Sequence, residues 1–319
     1  MAGPLIETKN LKKYFKLPDG RNLHAVDDVN ISINQGGTLG VVGESGCGKS
    51  TLGRTIVRLL EATGGEVLYN GEDILEFNKK KMLKMRSEIQ MIFQDPYTSL
   101  NPRLSIGDII AEPLKVLKIV KGTTAMKERI HELMDLCGLP QRYYNTYPHE
   151  LDGGRRQRVG LARALAVNPK FIVCDEPVTA LDVSIQAQII NLLMDLQEQM
   201  GLAYMFITHD LCVVRHISNN IAVMYLGQVV EYASKEDLFE KQYHPYTMAL
   251  LSAIPTPDLS RRNRERFLLE GEVGNPIEPE PGCRFASRCV HAKAECSQPQ
   301  ELREIGPKHF VRCWRAGSL

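Results

Sequence analysis

Apolar and polar positions alternate with a period of two over residues 5–15 and 25–33, which predicts two strands joined by a loop at Pro18-Asp19-Gly20. They read as an antiparallel flap. Residues 38–42 predict a buried strand, 51–60 a helix, 64–71 a hairpin and 88–94 another strand ending in a glutamine. From about residue 104 to 165 amphipathic helical pieces such as 126–137 take over and strand-like runs disappear. Strands return at 171–176 and 203–208, separated by a helix over 184–200, and a hairpin over 220–233 turns at Gly227. Short helices follow around Leu238 and Ala249. Strands alternating with helices predict an α/β domain over residues 1–254, with a mixed, mostly parallel sheet and a helical subdomain at about 104–165. Residues 255–319 are rich in proline, glycine and charge and poor in apolar residues. This extension is expected to bury little core and to owe its order to a metal or a partner.

Composition narrows the picture. At 319 residues, 43% apolar and 24% charged, the chain is ordinary for a globular protein, and a formal charge of +1 gives no basic field for nucleic acid. No apolar run approaches the ~18 residues of a membrane span, and no signal peptide pattern opens the chain, so a membrane role is expected to pass through a partner. Of eight cysteines, Cys47, Cys137, Cys174 and Cys212 are isolated, whereas Cys283, Cys289, Cys296 and Cys313 cluster. A disulfide framework is not expected without a secretory signal.

The chemistry centres on Gly43-Glu44-Ser45-Gly46-Cys47-Gly48-Lys49-Ser50-Thr51, which matches the phosphate loop G-x-x-x-x-G-K-[ST] between a strand and a helix. Glycines let the backbone wrap a polyphosphate, and the N–H groups and dipole of the helix start favour the anion. Lys49 would reach the terminal phosphates and Ser50 would ligate Mg²⁺. Tyr14 or Phe15 could stack on the base, although a core position explains either equally well. The apolar run ending in Asp175-Glu176 supplies a second nucleotide motif: Asp175 to hold Mg²⁺ and Glu176 to polarise the attacking water. Gln94 and His209 stand at other strand ends, where Gln94 could complete the metal shell and position water, and His209 could bond the γ-phosphate and orient Glu176. Leu151-Asp152-Gly153-Gly154-Arg155 opens a basic amphipathic helix. It reads either as a second anion-binding helix start or as a solvated helix cap.

In this order, and with Thr179-Ala180-Leu181-Asp182 after the acidic pair, these residues resemble the ATP-binding cassette family. The resemblance implies a P-loop cassette in which two copies face head to tail. ATP lies between one phosphate loop and the other subunit's signature, here Leu151, Asp152, Gly153, Gly154 and Arg155, with Ala180, Leu181 and Asp182 as the loop after the acidic pair. Gln94-Asp95-Pro96-Tyr97-Thr98-Ser99-Leu100-Asn101-Pro102-Arg103, His244-Pro245-Tyr246-Thr247 and the tail Gly282-Cys283-Arg284-Phe285…Arg288-Cys289 look like the dipeptide and oligopeptide importers; nickel importers share much of this. The implied function is an ATPase subunit on the cytoplasmic face of the membrane that powers peptide import. Its partners would be two permease subunits, a second cassette (a relative or a copy of this chain) and, indirectly, an extracytoplasmic peptide-binding protein. The alternatives are import of nickel or another small solute, or a low-turnover regulatory module.

Two features depart from the plain cassette. Asp152 and Arg155 stand where the family's L-S-G-G-Q has serine and glutamine. A carboxylate cannot donate to a γ-phosphate, so slow hydrolysis is expected at the site this signature completes. The four thiols of Cys283-x₅-Cys289-x₆-Cys296-x₁₆-Cys313 suit Zn²⁺ or an iron–sulfur cluster, although these wide spacings lack the paired C-x₂₋₄-C usual for structural zinc; free thiols or two disulfides are the remaining reading. The resemblance to the importers implies a [4Fe–4S] cluster, with Zn²⁺ as the alternative.

Overall fold

The computed structural model describes residues 3–179, 181–253, 271 and 274–316. Ala180, Ile254 and residues 255–270, 272–273 and 317–319 of the expected extension lie outside them. The elements are β1 (Ile6–Lys16), β2 (Asn22–Ile33), β3 (Thr38–Val42), α1 (Lys49–Ile56), β4 (Gly64–Tyr69), β5 (Glu72–Asp73), α2 (Lys79–Met85) and β6 (Ile89–Ile92). Next come α3 (Pro96–Ser99), α4 (Ile106–Val116), α5 (Thr123–Leu136), α6 (Gly153–Leu165), β7 (Phe171–Asp175), α7 (Val183–Met200) and β8 (Ala203–Ile207). The chain continues through α8 (Leu211–Ile217), β9 (Asn220–Tyr225), β10 (Gln228–Ser234), α9 (Lys235–Glu240), α10 (Pro245–Ser252), β11 (Arg303–Gly306) and β12 (His309–Val311).

Two compact units divide these elements. The first draws on residues 1–32, 38–75 and 208–319. It contains the predicted flap as a four-stranded sheet in the order β2-β1-β4-β5, with Ile6 opposite Tyr69 and Thr8 opposite Val67. It also contains β3, buried throughout and paired in parallel with β9. The β9–β10 hairpin turns through Leu226 and Gly227, both at positive φ, and an alanine at Gly227 would bring its Cβ to 2.5 Å from the His24 carbonyl oxygen. Helix α1 starts two residues before the predicted 51–60 and stops at Ile56. Arg58 then turns to φ +53° and donates to the Ile74 carbonyl at 3.1 Å, which leaves Leu59 outside the core.

The second unit draws on residues 33–37 and 76–207. Its parallel strands β6, β7 and β8 align Ile89 with Phe171 and Phe171 with Ala203. Strands buried on both faces need apolar residues at successive positions, and Phe171, Ile172, Val173 and Cys174 supply them. The stretch predicted as helical, 104–165, carries α4, α5 and α6, whose buried faces include Ile110, Leu114, Leu133, Met134, Val159 and Leu165.

The described part of the extension packs on its own chain. Strand β12 pairs with β10, placing Val311 opposite Glu231, and β11 adds beyond it. Phe285, 2% exposed, has its ring 5.3 Å from Tyr225 and 5.5 Å from Tyr246. Arg312 reaches the Asp28 carboxylate at 2.9 Å. These contacts hold the described part of the segment on its own chain, beside whatever a metal or partner would add. A segment that completes a sheet and an aromatic cluster already present needs few apolar residues of its own.

The buried Glu231 carboxylate accepts from the backbone N–H groups of Tyr243 (2.9 Å) and His244 (3.0 Å) and contacts His309 Nε2 at 2.8 Å. His244 itself is buried, and its Nδ1 accepts from the Tyr246 N–H to cap α10. Burial lowers its pKa from 6.5 to about 4, against an opposing pull from Glu231. A depressed histidine means that the unfolded chain takes up the proton first. Stability is therefore expected to fall by up to about 3 kcal/mol as pH drops from about 6.5 towards 4. His244→Gln should flatten that part of a urea-denaturation pH profile, and an unchanged slope would assign the acid sensitivity elsewhere.

Candidate nucleotide site

The phosphate loop, Tyr14, Phe15 and His209 belong to the first unit; Gln94, the signature, Asp175, Glu176, Leu181 and Asp182 belong to the second. The loop links β3 to α1. Gly43, Gly46 and Gly48 all have positive φ, at 152°, 77° and 105°. A Cβ at Gly48 would strike the Ala25 carbonyl oxygen and one at Gly43 the Met224 carbonyl oxygen, whereas Gly46 faces open space. Two of the three glycines are thus required by the packing of the chain on itself, and Gly46 by its backbone angle. The Gly227 N–H donates to the Cys47 carbonyl at 2.8 Å, and the Asp27 N–H to the Gly227 carbonyl at 2.8 Å. Loop, hairpin turn and β2 form one hydrogen-bonded stack.

Lys49 is 5% exposed, and its ammonium donates to the carbonyls of Gly43 (2.8 Å) and Glu44 (2.9 Å). Burial raises the pKa of the neighbouring Cys47 thiol even though the Lys49 charge opposes it, so Cys47 packs as a neutral group. Ser50 follows in the first turn of α1, half-buried, with Ser45 exposed on the loop. Tyr14 donates its hydroxyl to Asp27 and stacks its ring on His24, 3.9 Å between centroids. Its phenol pKa is raised by burial and by the Asp27 carboxylate. Phe15, next along the strand, projects to the opposite side of β1, with the Lys13 ammonium 4.9 Å above its ring. His209 is exposed, one residue beyond Thr208, whose N–H donates to Val41 at the end of β3.

In the second unit Asp175 ends β7 and is fully buried. Glu176 follows at φ +46°, with its N–H donating to the Ile207 carbonyl at 2.9 Å. Left-handed backbone at a glutamate costs on the order of 1 kcal/mol and turns the side chain out of the strand. Gln94, two residues past β6, donates its amide to Glu176 Oε2 at 2.9 Å, so two of the three expected catalytic residues meet directly.

The signature is a helix cap with added charge. Asp152 accepts from the Arg155 N–H at 2.8 Å, and its other oxygen pairs with the Arg155 guanidinium at 2.5 Å. Gly153 and Gly154 leave room for Leu181 and for Ile185 of α7; a Cβ at Gly154 would lie 2.6 Å from the Ile185 side chain. Asp182 caps α7 by accepting from the Ile185 N–H at 3.0 Å. The basic character of α6 is mostly structural. Arg156 donates to the Pro148 and His149 carbonyls and stacks on Tyr97, and Arg158 and Arg163 donate to Cys137 and Ser99.

None of the eight cysteines is in a disulfide. Cys283, Cys289, Cys296 and Cys313 line one cavity of about 10 Å³ beside Phe285 and Trp314. Trp314 donates its indole N–H to Cys296 Sγ at 3.1 Å, and burial pushes the Cys283 thiol up to about 11. Among the described residues, no group of three or more His, Cys, Asp or Glu is placed to hold a metal ion. The four cysteines expected to form a metal centre do line one cavity. What the sequence did not disclose is how the extension reaches the nucleotide elements. Arg284 donates to the Leu226 carbonyl and pairs with Asp27, and Arg288 pairs with Glu44 at 2.9 Å.

Residues 26–179 match the family model for ABC transporters, and residues 230–296 that for the oligopeptide/dipeptide transporter C-terminal region. The chain is 50% identical over 318 residues to the oligopeptide transport ATP-binding protein OppF of Bacillus subtilis (strain 168), covering 99% of this chain and 98% of that protein. It is 47% identical over 324 residues to OppF of Escherichia coli (strain K12), covering 99% and 97%. Its fold is similar to the dimeric post-hydrolysis ATP-binding cassette MJ0796 bound to ADP and Pi, with TM-score 0.67 and 30% identity over 72% of this chain and 98% of that one. Among the described residues, no helix is long and apolar enough to cross a membrane. The chain therefore belongs to the ABC transporter family, among its oligopeptide transport ATP-binding proteins.

Proposed function

We propose that this chain is the ATP-hydrolysing subunit that powers oligopeptide import through partner membrane permeases, working from the cytoplasmic face. The observation that carries the hydrolytic part is the Gln94–Glu176 hydrogen bond beside fully buried Asp175, in a chain with a complete phosphate loop. The peptide cargo rests on the OppF relatives and on the match of residues 230–296. Nickel import has no such support.

In this reading Lys49 and the loop N–H groups hold the triphosphate, and His209 donates to the γ-phosphate. Glu176 accepts the proton of the attacking water that Gln94 orients, giving ADP and phosphate. Ser50, Gln94 and Asp175 are the residues assigned to Mg²⁺, which when bound draws off charge from the phosphates. Phe15 is the assigned base-stacking residue, because Tyr14 already commits its hydroxyl to Asp27 and a ring face to His24. Glu176→Gln is expected to bind ATP as the parent does while turnover falls about a hundredfold. Normal turnover would remove Glu176 as the base.

A second cassette, a relative or a copy of this chain, would complete the pocket with its signature. The Asp152–Arg155 pair supports a slow site where this chain's own signature serves: the arginine offsets the carboxylate but supplies no serine donor. Asp152→Ser with Arg155→Gln should raise the ATPase rate of the assembled transporter several-fold, and Arg155→Gln alone should lower it by exposing the Asp152 charge. Equal rates in all three proteins would refute this.

Cys283, Cys289, Cys296 and Cys313, which line one cavity, are the residues assigned to a [4Fe–4S] cluster that would staple the extension; the preference for it over Zn²⁺ rests on the resemblance to the peptide importers. Anaerobically purified protein should be brown, absorb near the violet and contain iron and sulfide. Stoichiometric zinc in iron-free protein would overturn the assignment.

A further inference from the structure

Glu44 places a carboxylate inside a loop whose task is to receive an anion. Every polar group of this residue is held. Its N–H donates to Tyr246 Oη at 2.9 Å, its carbonyl accepts from Lys49 at 2.9 Å, and its two carboxylate oxygens take Arg288 Nη1 at 2.9 Å and Nη2 at 3.2 Å. The Arg288 side chain is 6% exposed and the Glu44 side chain 25%. A two-pronged guanidinium–carboxylate contact at that depth is far less screened by water than a surface pair. Arg288 also lies against the Tyr225 hydroxyl at 3.4 Å and immediately precedes Cys289, so its backbone is set by the cysteine-lined extension.

We infer that Arg288 is a positioning residue for the phosphate loop, cancelling the charge of Glu44 so that the loop can accept a triphosphate. Without the guanidinium, Glu44 would add an uncompensated negative charge to the anion site, and ATP affinity would suffer rather than the chemical step. The inference rests on the reading of Gly43–Thr51 as the triphosphate loop and adds to it the dependence of that loop on a residue 244 positions away.

The test is a double-mutant cycle on the full-length chain, measuring Mg-ATP affinity and ATPase kcat and KM. Arg288→Ala should weaken ATP binding about tenfold and raise KM to match, with kcat within about twofold. The same substitution in a Glu44→Gln background should change affinity by less than about twofold, because the charge it neutralised is gone. If Arg288→Ala folds poorly, Arg288→Lys keeps the charge but not the fork; it should give an intermediate loss that Glu44→Gln again abolishes. A loss of equal size in both backgrounds would make Arg288 a packing residue only, and unchanged affinity in the parent background would equally overturn the inference. Lys49→Ala is the control for the underlying reading: if that variant binds ATP normally, the loop assignment itself fails, whatever Arg288 does.

Discussion

Two carbonyl oxygens, of Ala25 and Met224, stand where side chains at Gly48 and Gly43 would begin. The first unit is organised by that close approach. Because the loop backbone lies directly on β2 and on the end of β9, the turn at Gly227 can bridge Cys47 and Asp27. Asp27 in turn gathers Tyr14 and Arg284. A glycine-rich loop left to itself would sample many conformations, and here its cost in backbone entropy is offset by neighbours that accept only one. The proposed anion site is therefore a property of three strands and a turn as much as of its nine residues.

The second unit solves a different problem, which is to present a carboxylate at the end of a strand that is otherwise wholly buried. Asp175 stays within β7, and the left-handed backbone at Glu176 turns the chain at once, into reach of the Gln94 amide. Strain of that kind persists where surrounding contacts enforce it, and the Ile207 carbonyl bond to Glu176 N–H is one of them. In the signature, glycines read from sequence as an anion cradle also make room for Leu181 and Ile185. The start of α6 is thus packed on the segment that follows the acidic pair.

The extension joins these themes through charge. Arg284 and Arg288 lie between Cys283 and Cys289 and pair with Asp27 of β2 and Glu44 of the proposed phosphate loop. Leaving either carboxylate unpaired at such depth would be costly. The arginines explain why a segment of low apolar content keeps a defined place on the first unit. Phe285 and the β10–β12 ladder supply the rest.

By itself the sequence determined whatever is written in local pattern. The runs at 39–42, 171–174 and 203–207 are made of hydrophobic residues and glycine, so buried strands followed. The G-x-x-x-x-G-K-[ST] loop and the Asp175-Glu176 pair are legible because phosphate binding demands those residue types at those spacings. Local pattern overran the end of α1, since Leu59 and Leu60 look helical, and a positive φ at Arg58 is invisible before the fold exists. Only tertiary structure decided which aromatic near the chain start was already engaged, that Gln94 meets Glu176, and that Arg288 meets Glu44. Those outcomes depend on groups brought together across 82 and 244 residues, respectively, for the last two, and no periodicity or spacing rule acts over such separations.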